Sequence, residues 1–326
     1  MTSGTPSRDP ADVLLRMQAL APEASTNHVE DQHVVSKVVL KRFVDVDGKW
    51  KGLLYPFRLC YPDARHRLLG PDGCDKIKDW VIYASASAER LWKETEDRLP
   101  DALGALDDGI LLSNRKHVVT IKNAVALHYA RSGATRIVSR RVAATVTAAT
   151  RKMWLTQRRR LLEAEFLRRK GFHAVGDQAL GRFLDEIMEP TLTMVTSDRW
   201  FRARVEDFYY KACELTDSPG LEILSSDCNE FLIGDVPALT IPRDNSRPGV
   251  LGGTALGDAQ TVLMPLGPRH VVALAQTNAS AELTPDQVNL INAYQIRGAL
   301  EYVYFRPGSG LAQFVRSIAP TVQPSS

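Results

Sequence analysis

Cysteine is scarce in this 326-residue sequence: four residues, Cys60, Cys74, Cys213 and Cys228, lie far apart, with no Cys-x-x-Cys and no histidine at zinc-finger spacing. This excludes a disulfide-stapled scaffold and predicts reduced thiols in a cytoplasmic protein. No stretch approaches the roughly 18 to 20 apolar residues that cross a bilayer, so no membrane association is expected. Met1–Pro10 has one basic residue and no apolar core, unlike a secretory or transit leader. A Walker A loop, a His-Glu-x-x-His helix and a Gly-x-Ser-x-Gly elbow are all missing. The glycines at 249, 252, 253 and 257 precede no helix and predict a loop rather than a phosphate cradle. Asp45-Val-Asp-Gly48 has no later glutamate to complete a calcium loop and predicts a hairpin turn.

What is present is ordinary in bulk. Apolar residues make up 44% and charged residues 24%, values of a globular chain long enough for one large domain or two modest ones. A short helix is expected at Ala11–Leu20, and two extended runs at 33–44 and 50–58, the first also fitting helical spacing. Pro62, Gly70, Pro71 and Gly73 mark a loop over 60–75. Helices are expected at 77–99, 115–131, 135–171, 177–189 and 191–215, with breaks at Pro100, Gly104, Gly109, Gly133, Gly171 and Pro190. The pattern then turns β-like, and Thr284-Pro-Asp-Gln287 opens a closing helix with a capping box. The fold class is α+β: a mainly helical central region packed with a small mixed or antiparallel sheet built from N-terminal and C-terminal segments. The expected organisation is a tail and short helix over 1–27, one domain over 28–306 and a polar tail over 307–326. Within that domain 76–217 is helical, 219–276 is β-rich and 284–304 is the closing helix. The strand-like segments before 58 and after 220 are each too few and short to form a stable sheet separately, which predicts that they join or at least pack together.

Charge is unevenly spread. Residues 131–170 hold twelve Arg or Lys and two Glu, a balance of +10 in a chain whose total is +3. Arginine's planar fork suits phosphate, so Arg158, Arg159, Arg168 and Arg169, with Arg42, are candidate contacts to nucleic acid. The competing reading is a solvated helix face paired with the acidic remainder.

Gln32-His-Val-Val-Ser-Lys-Val-Val-Leu-Lys-Arg-Phe43 resembles the opening motif of a bacterial family known as domain of unknown function 4238. Gln32 stands where that family usually has a first histidine, and Ser36 where it usually has proline. Ala88-Glu89 to Glu96-Asp97 is similar to its Glu-bearing helix, and Leu127-His-Tyr-Ala-Arg-Ser132 to its helix with Gln or His three residues before Arg. Phe231-Leu-Ile-Gly-Asp-Val-Pro237 is similar to its strand ending in Ser-Asp-x-Pro, with Gly234 for the serine. Pro265-Leu-Gly-Pro268 and a helix with Asn292 and Ala299 follow in order.

The resemblance implies one constellation of His33, Glu96, His128, Arg131 and Asp235. Imidazole, guanidinium and carboxylate together suit phosphodiester cleavage, with His33 moving the proton, Arg131 facing an anion and Asp235 bonded to an imidazole or to Arg131. Two function classes stay open: a nuclease-like hydrolase with a basic substrate groove, and a non-catalytic nucleic-acid-binding or regulatory protein whose motifs serve the fold. In the second, His128 is a hydrogen-bonded core histidine, Asp235 forms an Asx-turn and Arg131 pairs with Glu96. The sequence names no metal, no cofactor and no oligomeric state.

Overall fold

The computed structural model describes residues 31–74, 76–78, 86–197, 199–244 and 246–319. The expected tail and helix over 1–27 lie outside the described residues. The described residues divide into two compact units, one within 31–80, 86–139 and 207–326, the other within 140–206. The fold is α+β.

In the first unit, β1 (Asp31–His33) pairs with β3 (Lys76–Lys78), a strand where the sequence predicts the start of a helix. The run from 33 to 44 is neither wholly extended nor one helix. After β1 it forms the short helix α1 (Lys37–Leu40) and a 3-10 turn (Lys41–Phe43). The N- and C-terminal strand segments do join: β2 (Tyr55–Arg58) pairs antiparallel with β10 (Tyr302–Phe305), which pairs with β5 (Ile233–Gly234). A mixed five-stranded sheet has the order β6-β7-β8-β4-β9, from β4 (Gly220–Ser225), β6 (Leu239–Ile241), β7 (Thr261–Gly267), β8 (His270–Ala275) and β9 (Ala279–Glu282). Alternation puts Leu221 and Ile223 of β4 on the same face as Val272 and Leu274 of β8. That face packs on α2 (Ala86–Asp107) and α3 (Arg115–Ala130), through Leu99, Leu103, Leu106, Ile121 and Val125, and on Val35, Val39 and Phe43. One core therefore draws on the beginning, middle and end of the chain.

The closing helix α8 (Pro285–Gly298) starts with the expected capping box but stops six residues short of 304. Tyr302–Phe305 is rich in β-forming residues, and pairing on both edges pulls it into β10. The buried amides of Asn292 and Gln295 bond the 230–237 segment: Asn292 accepts from the Leu232 N–H, and Gln295 from the Gly234 N–H. A Cβ at 234 would come within 3.2 Å of Ala299 Cβ and of the Gln295 carbonyl, so glycine lets α8 sit close. The expected polar tail contains α9 (Leu311–Ile318), whose Leu311 and Val315 pack against Phe57, Leu232 and Ile296. Asp45–Gly48 is not a hairpin turn. The Asp45 carboxylate accepts from the Gly48 and Trp50 N–H groups, and its backbone bridges Lys51 in parallel. Pro100 lies inside α2, where Leu99 and Leu103, on either side of it, hold the helix in the core. The glycine cluster does form a loop, with Gly249 and Gly253 at positive φ.

The second unit is helical. The basic segment that predicts one helix over 135–171 forms two, α4 (Gly133–Thr156) and α5 (Arg159–Lys170), because Gln157 and Arg158 both donate to the Met153 carbonyl and close the first. Pro190 does not end its helix; α6 runs Gly176–Thr196, and α7 follows at Arg199–Asp217, its residues from Asp207 on belonging to the first unit. Leu162 and Phe166 of α5 pack on Leu180, Phe183, Leu184 and Met188 of α6, the i, i+4 stripe expected of amphipathic helices. No described helix is long and apolar enough to cross a membrane. None of the four cysteines is in a disulfide.

Candidate functional site

Helix α3 begins at Asn114, whose side chain accepts the Lys116 N–H, and ends at Arg131. Its last turn carries His128 and Arg131 toward the residues that follow β1. The His128 ring is fully buried. Its Nδ1 lies 2.7 Å from the Ala124 carbonyl one turn back, and its Nε2 accepts the Ser36 N–H at 3.1 Å. A carbonyl only accepts and an N–H only donates, so the proton sits on Nδ1 and the imidazole is neutral. Burial, helped by the nearby Arg131 charge, pushes its pKa down to about 4. Both ring nitrogens are occupied by backbone, and neither reaches an open surface.

Serine at 36 matters to this arrangement. The sequence pattern that resembles this chain usually has proline there, and proline has no N–H to offer. Ser36 sits at φ −57°, a value proline adopts freely, so in the backbone the two residues differ by the N–H donated to His128.

Arg131 is 4% exposed. Its Nε donates to the Val34 carbonyl at 3.0 Å and its Nη2 to Glu96 Oε1 at 2.8 Å, with the guanidinium 5.6 Å from the centre of the Trp92 ring. Burial alone would raise the Glu96 carboxyl, but the charge and hydrogen bond of Arg131 outweigh it and hold the group below the usual carboxylate range. Thus the end of α3 grips residues 34–36 through the Arg131 guanidinium and a His128 ring nitrogen, and Glu96 of α2 holds the guanidinium in place. His33 is the last residue of β1, half-buried, opposite Lys76 and one residue before the carbonyl that Arg131 holds.

Asp235 does not bond an imidazole or Arg131. Its carboxylate accepts three backbone N–H groups, from Leu300 and Glu301 at 2.7 Å and from Tyr302 at 2.9 Å. Its own N–H donates to the Tyr302 carbonyl. Burial raises the carboxyl to about 6 against the opposing pull of the three donors. The residue shapes the turn between α8 and β10. It meets the other candidates only indirectly: Asp235 and Val34 line the same 260 Å³ cavity, with Cys74 and Tyr304.

Arg42 is committed elsewhere. Its two terminal nitrogens form a fork on Asp107 at 2.7 and 2.5 Å. His270 Nδ1 lies 3.8 Å from the same carboxylate, too far for a hydrogen bond. Burial lowers the His270 pKa against the pull of Asp107. Arg42, Asp107 and His270 thus make a second group of arginine, carboxylate and histidine, from positions whose separation leaves no sequence signal. Lys122 is another residue that spacing does not mark. Its ammonium donates to the carbonyls of Asp217 and Pro219 and so satisfies the C-terminal end of α7.

In the helical unit most candidate arginines have acidic neighbours. Glu165 takes Arg168 and Arg169 at 2.6 and 2.5 Å, and those hydrogen bonds hold its carboxyl down to about 2. Arg159 meets Glu163 and Asp177, Arg151 meets Asp185, and Lys170 meets Glu186. Arg158 and Arg160 form no ion pair among the described residues. With Arg159 they line a 440 Å³ hollow where α4 gives way to α5. Among the described residues no group of three or more His, Cys, Asp or Glu is placed to hold a metal.

The sequence model of the family described as "Protein of unknown function (DUF4238)" matches residues 84–309. The chain belongs to that family. The matched span contains Glu96, His128, Arg131 and Asp235, whereas the opening motif with His33 and Arg42 precedes it. No curated protein and no solved structure matches the chain. In this member of the DUF4238 family, then, Glu96, His128 and Arg131 meet beside residues 34–36, while Asp235 bonds the backbone of 300–302.

Proposed function

We propose that the protein binds nucleic acid without cleaving it, and that residues 140–206 carry the contact. The observation behind this reading is that Arg158 and Arg160, which form no ion pair among the described residues, flank Arg159 in one hollow at the α4–α5 junction. Residues 140–206 hold fourteen Arg or Lys against eight Asp or Glu, so a balance of +6 remains after every carboxylate is matched. The hollow is concave, lined by guanidinium forks, and free of a competing carboxylate at Arg158 and Arg160. Each fork can grip a phosphate bidentately, which gives affinity without reading sequence.

The same geometry weighs against the hydrolase. His128 has no nitrogen to spare, Arg131 is turned to Glu96 and Val34 rather than to an open anion site, and Asp235 is consumed by backbone donors. Fluorescence anisotropy with a labelled oligonucleotide tests the reading. Binding at low salt that weakens steeply as salt rises, with the oligonucleotide intact afterwards, is the expected result. Cleavage that disappears in a folded His33→Ala variant would replace it with the hydrolase.

A further inference from the structure

The largest cavity described lies in the other unit, among α2, α3 and α7, and measures 1090 Å³. Its lining follows from helical spacing. Glu94, Thr95 and Arg98 share a face of α2; Lys116, Thr120 and Asn123 share a face of α3; Tyr209, Tyr210 and Cys213 share a face of α7. The floor is buried and satisfied within itself: the hydroxyls of Thr95 and Tyr209 bond at 2.8 Å, and Thr120 donates to the Lys116 carbonyl. The rim is exposed and cationic. Arg98, Arg115 and Lys116 face a single carboxylate, Glu94, and none of the three forms an ion pair among the described residues. This charge belongs to side chains and not to the helix end, since Asn114 already caps α3. Tyr210 stands 52% exposed at the cavity, its ring centre 5.9 Å from that of Tyr209. The Asn123 side chain, half-buried in the wall, makes no hydrogen bond among the described residues.

We infer that this cavity binds a small planar aromatic anion of mononucleotide size. The rim cations take the anionic group, the Tyr210 ring offers a stacking face, and Asn123 offers one donor and one acceptor to a polar ring edge. The volume suits such a ligand, since small-molecule sites usually enclose roughly 300–1,000 Å³. The site is separate from the arginine hollow and stands or falls independently of it.

Isothermal titration of the full chain with adenosine 5′-monophosphate is the test, with adenosine and inorganic phosphate as the ring-only and charge-only probes. Saturable binding of the monophosphate is expected, with each partial probe weaker by about tenfold or more, as befits loss of one anchoring contact. The Arg115→Ala/Lys116→Ala double variant and Tyr210→Ala alter exposed side chains, so they should stay folded and each lose binding. Arg158→Gln/Arg160→Gln should bind the monophosphate as the wild type does. No saturable heat with the monophosphate overturns the inference. So does unchanged affinity in both cavity variants, and so does equal affinity for inorganic phosphate.

Discussion

Arginine and glutamate pair in both units, to opposite effect. Arg131 and Glu96 meet in the interior, with the arginine side chain 5% exposed and its remaining reach spent on the Val34 carbonyl. Arg168, Arg169 and Glu165 meet on the surface of α5, where both arginine side chains are at least half exposed. A buried charge without its partner has nowhere to recover hydration, whereas an exposed one exchanges its partner for water at little cost. The buried pair therefore fixes structure, and the exposed pairs remain open to exchange for phosphate. Of the residues that look catalytic in the sequence, His128, Arg131 and Asp235 are buried, whereas Arg168 and Arg169, which look like ordinary surface charge, are exposed.

Breaking the buried pair should have the largest effect. Arg131→Ala leaves Glu96 uncompensated and is expected to cost about 3–5 kcal/mol in urea unfolding. A loss no greater than that of a typical surface substitution would put Arg131 outside the structural role. Asp235→Ala comes next, because it strands three N–H donors in the α8–β10 turn; about 2–4 kcal/mol is expected, with Asp235→Asn recovering part of it.

The interior also predicts a pH signature. His128 falls from an ordinary 6.5 to about 4, so its contribution is fully present above pH 6.5 and is lost on acidification toward pH 4. Asp235 rises from 3.8 to about 6, so its ionisation costs stability as pH climbs through that window, and acidification relieves the cost. Each shift corresponds to roughly 3 kcal/mol, and the two slopes oppose one another between about pH 4 and 6. Folded Asp235→Asn should therefore lose more stability between pH 6.5 and 4 than the wild type, and His128→Gln less, as read from urea midpoints across pH. Parallel curves for all three proteins would contradict the assigned environments.

A finer probe is Ser36→Pro, which removes the N–H donated to His128 Nε2 while keeping a φ that proline accepts. The lost hydrogen bond and the entropy removed from the unfolded chain pull in opposite directions, leaving a net cost of about 1 kcal/mol. The His128 imidazole should at the same time become easier to protonate by NMR titration. Smallest of all is Arg168→Gln/Arg169→Gln, for which the melting temperature should hardly move.

How much of this was legible beforehand depends on the range of the forces. The apolar stripe of α5, the capping box of α8 and the alternation of β4 and β8 are local, and the sequence displays them. The strand at 302–305 is not local: it depends on Asp235, more than sixty residues earlier, holding the turn that precedes it. Pro100 stays helical because Leu99 and Leu103 pack on neighbouring turns and override a local break signal. In α9 only Leu311 and Val315 of eight residues are buried, too short a pattern to separate from a polar tail. At the site, the structure sets Glu96 against Arg131 next to His128, and Asp235 against the backbone of 300–302. Their chemistry was not readable, because the backbone groups that occupy them, Ala124 C=O, Val34 C=O and Ser36 N–H, carry no sequence signature.

The division of labour between interior and surface is tested most directly by the salt dependence of oligonucleotide affinity in the wild type and in Arg158→Gln/Arg160→Gln. Neutralising two phosphate contacts should flatten the slope of log K against log salt by roughly 1.4–1.8 while leaving the unfolding curve in place. An unchanged slope, or no binding by the wild type at low salt, would contradict the account.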